Sequence, residues 1–184
     1  MTGRAGVFLD RDGTVIEDTG FVRDPAVVRL LPGAAGGIRQ LNQAGIPVII
    51  VTNQSGIARG LLTEVDYRAV AARLEALLTA AGARIDATYL CPHYPAISGP
   101  CDCRKPALGN YRSAAELLGL DLAASVWIGD RLTDLLAAET LGGTGILVQT
   151  GEGAHSAHEA AARGFAVVAD LAAAVDLMLR PPAA

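Results

Sequence analysis

Lysine is almost missing from this 184-residue chain: Lys105 is the single example, and no Lys/Arg run of nucleic-acid type occurs. With a formal net charge of −4, the chain lacks the basic footprint by which a nonspecific DNA or RNA binder neutralises phosphates. Long apolar runs are missing too, and none approaches the ~20 residues of a membrane span. Met1-Thr2-Gly3-Arg4 leads straight into a short strand-like run, so no secretory signal is read there. Aromatic residues are 4% of the chain, which leaves Ala, Leu, Val and Gly to fill the core. Cysteine is scarce and clustered at Cys91, Cys101 and Cys103. An odd count of thiols close to His93 makes no disulfide framework. It favours metal binding in a reducing compartment, and a cytoplasmic location is expected. Repeats and low-complexity segments are absent, and only Pro181-Pro182-Ala183-Ala184 reads as disordered.

What is present is an alternation of short apolar runs with helical stretches, within the length of one ordinary domain, residues 1–184. The expected strands are Val7–Leu9, Val48–Val51, Thr88–Leu90, Val126–Ile128, Ile146–Val148 and Ala166–Val168. All are apolar on both faces, as strands of a parallel sheet covered on both sides should be. Thr63 and Asp66 form a capping box ahead of Val70, Leu74, Leu77, Leu78 and Ala81, and Gly82 follows as the stop. Asn110 is expected to cap a helix ending at Gly119. Asp170 is expected to cap one carrying Leu171, Val175 and Met178 on one face. Gly45, Gly142 and Gly164 stand where other helices should end. The pattern predicts an α/β fold with a doubly wound parallel sheet in strand order 3-2-1-4-5, with a sixth strand able to join at the edge. The connections leave no room for a large cap domain.

Acidic residues gather at the predicted strand ends. Asp10 and Asp12 follow the first strand, Thr52 the second, and Gly129-Asp130 the fourth. In an open parallel sheet these positions share one crevice. Carboxylates brought that close need a cation, and oxygen ligands suit magnesium together with a substrate phosphate. The alternative is that Asp10 and Asp12 are solvated loop acids. Thr14, Thr52-Asn53-Gln54, Lys105 and Asp134 at neighbouring loop ends weigh against it.

Cys91-x-His93 and Cys101-x-Cys103 supply four ligands, a count that fits tetrahedral zinc in a closed structural site. Pro92, Pro95, Gly99 and Pro100 prevent regular structure, so a bound zinc would order the loop and hold Arg104 and Lys105 in place. Free thiols or a strained Cys101–Cys103 disulfide are the alternatives.

Asp10-x-Asp12-Gly13-Thr14, Thr52-Asn53, Arg104-Lys105-Pro106 and Gly129-Asp130-x-x-x-Asp134 resemble, in order, the four motifs of the haloacid dehalogenase superfamily. The resemblance runs from the first strand to the fourth. It implies a Rossmann-like fold and magnesium-dependent hydrolysis of a phosphate ester through an aspartyl-phosphate. Asp10 would be the nucleophile and a magnesium ligand. Asp12 would be the general acid and then the base, with its backbone carbonyl on the metal. Thr52 and Lys105 would hold the phosphoryl group, Asp130 would bind magnesium, and Asp134 would support the site from behind.

Within that superfamily the cysteine loop is similar to those of phosphatases acting on heptose 1,7-bisphosphate or on histidinol phosphate. The run Thr52-Asn53-Gln54-Ser55-Gly56-Ile57-Ala58-Arg59-Gly60 resembles the heptose branch. The short loop and Arg131 resemble the histidinol branch. The first resemblance implies release of the C7 phosphate in nucleotide-activated heptose biosynthesis. Asp18, Thr19, Gly20, Phe21, Asn53, Gln54, Ser55, Arg104 and Arg131 would then bind a small phosphorylated sugar. A nucleic-acid 3′-phosphatase shares a similar Thr-Asn-Gln run, but its kind lacks the cysteine loop. Arg59, Arg68 and Arg73 are expected on plain surface, and His155 and His158 at a solvated helix start. A monomer is expected, since no spare apolar helix or edge strand is evident.

Overall fold

The computed structural model describes residues 3–180, so the predicted tail Pro181–Ala184 lies outside the described residues. Six parallel strands form one sheet: β1 (Val7–Leu9), β2 (Val48–Asn53), β3 (Ala87–Cys91), β4 (Val126–Gly129), β5 (Thr144–Val148) and β6 (Ala166–Val168). Their spatial order is β3-β2-β1-β4-β5-β6. The predicted order therefore holds, and Ala166–Val168 does add the sixth, edge strand. β2 runs two residues beyond the predicted Val51, so Thr52 and Asn53 lie inside the strand. Gly129 likewise ends β4 instead of following it.

Strand periodicity sorts the side chains. Val7 and Leu9 face one layer and Phe8 the other, because successive residues of a strand point to opposite faces. On the first face, Val7, Leu9, Val48 and Ile50 pack with Ile38 and Leu41 of α1 (Ala34–Gln43), Val70, Leu74 and Leu78 of α2 (Glu64–Ala80) and Val175 of α7 (Leu171–Leu179). On the second, Phe8, Ile49, Val51 and Trp127 meet Tyr111 of α4 (Gly109–Leu118), Leu135 of α5 (Leu132–Leu141) and Ala160 of α6 (Gly153–Ala162). The short α3 (Pro95–Ser98) lies in the cysteine loop. Much of the scarce aromatic content is spent in one place: Phe8 stacks on Trp127 at 4.9 Å, and Tyr111 stands edge-on to Phe8 at 5.2 Å.

Helix ends follow their residues. The Thr63 backbone N–H donates to Asp66 Oδ2 at 2.7 Å, and the Asp66 N–H donates to Thr63 Oγ1 at 3.1 Å, which starts α2 as expected. Asp170 accepts from Ala173 N at 2.9 Å and starts α7. Asn110 is not a cap: α4 begins one residue earlier, and Asn110 uses its amide to donate to the Cys103 carbonyl at 3.1 Å. Among the described residues, no helix is long and apolar enough to cross a membrane.

Register sets the site. Leu9 lies opposite Ile50 on one side and Ile128 on the other. The residues just past this level, Asp10, Thr52 and Asp130, therefore emerge together at the carboxyl end of the sheet. The strand-order reversal beside β1 opens the crevice there.

Candidate active site

Asp10 leaves β1 with its N–H donating to Ile128 O at 3.0 Å, which ties it to β4. The chain then turns sharply at Gly13, whose φ is 80°. A Cβ on Gly13 would lie 2.3 Å from Asp130 Oδ2, and one on Gly151 would lie equally close. The two glycines thus form a notch for the Asp130 carboxylate. Thr150 Oγ1 closes it by donating to Gly13 O at 2.6 Å. Asp130 Oδ2 accepts the Glu152 N–H at 2.8 Å, whereas Oδ1 is buried without a hydrogen bond.

Lys105 sits between two acids. Its Nζ is 2.6 Å from Asp10 Oδ1 and 2.7 Å from Asp134 Oδ1, with the lysine 4% exposed. Asp134 also accepts the Arg131 N–H at the start of α5, at 3.0 Å. One carboxylate therefore caps a helix and orients the lysine. Asn53 clamps the Lys105 backbone, accepting its N–H at 3.0 Å and donating to its carbonyl at 3.2 Å. Asp12 points elsewhere. Arg11 forks both of its oxygens, and Gln54 Nε2 donates to Asp12 Oδ2 at 2.7 Å and to Thr52 Oγ1 at 2.8 Å. Gln54, expected against substrate, lines the cavity and also holds Asp12 and Thr52 through its Nε2.

Oxygens of Asp10, Asp130 and Asp134 lie within 4.8 Å of one another. Burial, then the Asp10 charge, lifts Asp130 to about 7. Burial lifts Asp134 to about 6 against the pull of Lys105. Burial also raises Asp12, although Arg11 opposes it. For Lys105, burial acts downward, but Asp10 and Asp134 prevail and hold it above the ordinary lysine value. A hard, oxygen-seeking dication fits this donor set: Asp130 Oδ1 lacks a partner, and three crowded carboxylates share the single charge of Lys105.

The sign of a pH effect follows. Carboxyls raised in the folded state bind more protons than the unfolded chain between about pH 4 and 7. Stability of the metal-free protein should therefore rise as pH falls from 7.5 to 5. Magnesium should remove most of that slope by favouring the ionised forms. Melting scans across this window, with and without magnesium, check it; a metal-free melting temperature that drops on acidification contradicts it.

Above this floor opens a cavity of about 670 Å³, within the range of small-molecule sites. Asp10, Asp12, Thr52, Lys105 and Asp134 line its depth. Asp18, Gly20, Phe21, Asn53, Gln54, Ser55, Arg104 and Arg131 line it as expected, while Thr19 is exposed and is not among the lining residues. Arg131 Nη2 reaches Asp18 Oδ2 at 3.4 Å across the opening. Arg59, expected on plain surface, also lines the cavity. Its guanidinium carbon is 5.0 Å from the Phe21 ring centroid and 5.2 Å from that of Tyr94. Turn hydrogen bonds from Ile57 N to Gln54 O and from Arg59 N to Ser55 O coil the run back over the opening. Arg68, His155 and His158 are exposed, as expected, and Arg73 is on the outer face of α2.

The cysteine loop gathers as its spacing predicted. Ligand atoms of Cys91, His93, Cys101 and Cys103 lie within 4.8 Å of one another. Cys101 Sγ is 3.7 Å from Cys91 Sγ and 3.5 Å from Cys103 Sγ, and all three thiols are free. Burial and its sulfur neighbours push Cys103 up to about 12. Burial also acts upward on Cys101, but hydrogen bonds from Cys103 and Arg104 outweigh it and bring the thiol to about 7. Three sulfurs at this spacing cannot all ionise alone, and a soft dication would let them do so.

The chain is similar to known proteins in sequence and fold. The family model for HAD-hydrolase-like proteins (HAD, haloacid dehalogenase) matches residues 102–174. The Haemophilus ducreyi D-glycero-beta-D-manno-heptose-1,7-bisphosphate 7-phosphatase is 42% identical over 156 residues, covering 82% of this chain and 86% of its own. The crystal structure of D,D-heptose 1,7-bisphosphate phosphatase from Bordetella bronchiseptica, complexed with magnesium and phosphate, superposes with a TM-score of 0.87. It is 39% identical and covers 95% of this chain and 98% of its own. The corresponding enzyme from Burkholderia thailandensis gives a TM-score of 0.71 at 32% identity, covering 96% of this chain and 100% of its own. The chain belongs to the haloacid dehalogenase superfamily, among the phosphatases closely related to D-glycero-D-manno-heptose-1,7-bisphosphate 7-phosphatase.

Proposed function

We propose that the chain hydrolyses the C7 phosphate of D-glycero-D-manno-heptose 1,7-bisphosphate, through a phosphorylated Asp10. The carrying observation is a cavity with two separate places for an anion. Lys105 lies at its floor beside Asp10, and Arg59, Arg104 and Arg131 surround its opening. A sugar bisphosphate presents one phosphate to each.

Asp10 Oδ attacks phosphorus while Asp12 gives a proton to the leaving C7 oxygen. Asp12 then takes a proton from water, whose oxygen attacks phosphorus and frees Asp10 as a carboxylate. Lys105 and Thr52 hold the phosphoryl oxygens, and Asp134 keeps Lys105 in place. Asp10, Asp130 and the Asp12 carbonyl would hold magnesium, which supplies positive charge against the transferring phosphoryl group. Zinc on Cys91, His93, Cys101 and Cys103 would brace the loop that carries Arg104. The reading has a monomer working in the reducing cytoplasm.

Histidinol phosphate is the competing substrate, and the opening disfavours it. Three guanidiniums against the single acid Asp18 repel a protonated amine. The test compares both anomers of heptose 1,7-bisphosphate, heptose 7-phosphate and histidinol phosphate by kcat/KM. A bisphosphate anomer should lead the others by about a hundredfold, worth about 2.7 kcal/mol of transition-state discrimination. Arg104→Ala should remove most of the advantage over heptose 7-phosphate while leaving turnover of the monophosphate near its starting value. Faster release from histidinol phosphate would overturn the assignment.

A further inference from the structure

The Asp12 carboxylate is not free to turn. Both of its oxygens accept from Arg11, from Nε at 3.1 Å and from Nη2 at 2.8–2.9 Å. Gln54 Nε2 adds a bond to Oδ2 at 2.7 Å. Asp12 nevertheless lines the catalytic cavity, with 18% of its side chain exposed. The protein thus grips the carboxylate while part of the side chain stays open to the cavity.

Arg11 is itself held at both ends. Its carbonyl accepts the N–H groups of Val15 and Ile16 at 2.9 and 3.0 Å, which pins the turn after β1. Tyr67 of α2, a buried side chain, covers the guanidinium carbon at 5.4 Å from the ring centroid. Arg11 is buried, and among the described residues Asp12 is its only acidic partner. Its Nη1 finds no acceptor. For stability alone this is a poor arrangement, since a buried ion pair forfeits hydration and an idle buried donor adds to the loss. What the arrangement supplies is direction. A planar fork on both oxygens fixes the plane of a carboxylate, which a point charge does not.

We propose that Arg11 is the positioning residue for Asp12: its fork, backed by Tyr67, aims the Asp12 carboxylate at the leaving oxygen. Arg11 is not among the residues lining the catalytic cavity, so it acts only through Asp12. Asp134 stands in the same relation to Lys105. Each working group at the floor is therefore oriented by an oppositely charged partner, as a catalytic base is by a third group. The positioning role rests on the acid role given to Asp12 above, and not on which sugar is cleaved.

The leaving group isolates the effect. An alkoxide needs a proton as its bond to phosphorus breaks, whereas p-nitrophenolate leaves without one. The quantity read is kcat/KM, which ends at formation of phosphorylated Asp10 and excludes the later step in which Asp12 is the base. Arg11→Lys keeps the charge and loses the fork. It should lower kcat/KM for the alkyl ester about 10²-fold, the effect of misplacing a reacting group by roughly 1 Å. For p-nitrophenyl phosphate the fall should stay below about fivefold, because general acid catalysis contributes little there. Tyr67→Leu should show the same split on a smaller scale, and it serves as the test if melting shows Arg11→Lys to be unfolded. Asp12→Asn sets the full size of the split, and adding Arg11→Lys to it should widen the split no further. Equal falls for the two esters in Arg11→Lys, or a wider split in the double variant, overturn the positioning role. Equal falls in Asp12→Asn overturn the acid role, and the positioning role with it. Histidinol phosphate is an alkyl ester too, so the heptose assignment can fail in the substrate panel without altering this comparison.

Discussion

Asp10→Asn should yield a folded protein whose phosphate release falls by on the order of 10⁴-fold or more, as expected when the attacking group itself is removed. An amide oxygen neither attacks phosphorus effectively nor offers the charge a dication needs. Stability should change in the opposite sense or hardly at all. Asp10 crowds Asp130 and Asp134 within 4.8 Å, and its charge helps to raise both of their pKa values. Removing it relieves that repulsion, and Lys105 keeps Asp134 at 2.7 Å. Two measurements separate chemistry from folding: steady-state phosphate release, and the melting temperature without magnesium. Borohydride trapping of an acyl phosphate during turnover adds a third, and should label wild type at Asp10 and leave the variant unlabelled. Release within tenfold of wild type would remove Asp10 from the role of nucleophile.

The second large effect concerns the cysteine loop. Cys103→Ser should abolish the zinc binding proposed for this loop and lower the melting temperature by about 10 °C or more. Structural zinc contributes apparent free energies of roughly 10–16 kcal/mol in small zinc modules, so even a fraction of that is large beside ordinary domain stability. The catalytic consequence should be uneven. Lys105 has its own fastening in the paired hydrogen bonds to Asn53. Arg104 depends more directly on the loop, since its Nη1 donates to the His93 carbonyl at 3.2 Å. Loss of zinc should therefore raise KM for the bisphosphate more than it lowers kcat. Metal analysis of the pure protein, followed by kinetics after chelation, checks both parts. Pure wild-type protein without bound zinc, or a variant as heat-stable as wild type, would contradict the assignment.

Much of the architecture was legible because its signals are local and periodic. Six apolar runs became six strands, and the capping residues Thr63 and Asp170 began their helices. The floor of the site was legible for a related reason, since residues at the ends of parallel strands must converge. The wall was harder to read. Arg59 resembles any surface arginine until two turns fold it back between Phe21 and Tyr94, which come from distant segments. Gln54 and Asn53 line the cavity as expected, but nothing local announced that their amides also hold Asp12 and Lys105. Asn110 carries the composition of a cap but sits one position inside its helix. Gly151 and Thr150 gave no sign that they enclose Asp130, because that contact joins the first and fifth connections. In each case the deciding interaction spans residues whose separation along the chain hides their proximity.

The lysine held between two acids also bears on how the chain folds. Asp10 comes from the end of β1, Lys105 from the segment after β3, and Asp134 from α5. Lys105 is not tolerable in the interior without an acid beside it, nor are the two acids without Lys105, because an unpaired buried charge costs several kcal/mol. A half-assembled sheet that holds the lysine without an acid, or the acids without the lysine, is thus penalised relative to both the open and the finished chain. The same trio at the floor of the candidate site should raise the cooperativity of the folding transition. Denaturation followed by backbone circular dichroism and by Trp127 fluorescence should accordingly trace a single coincident curve.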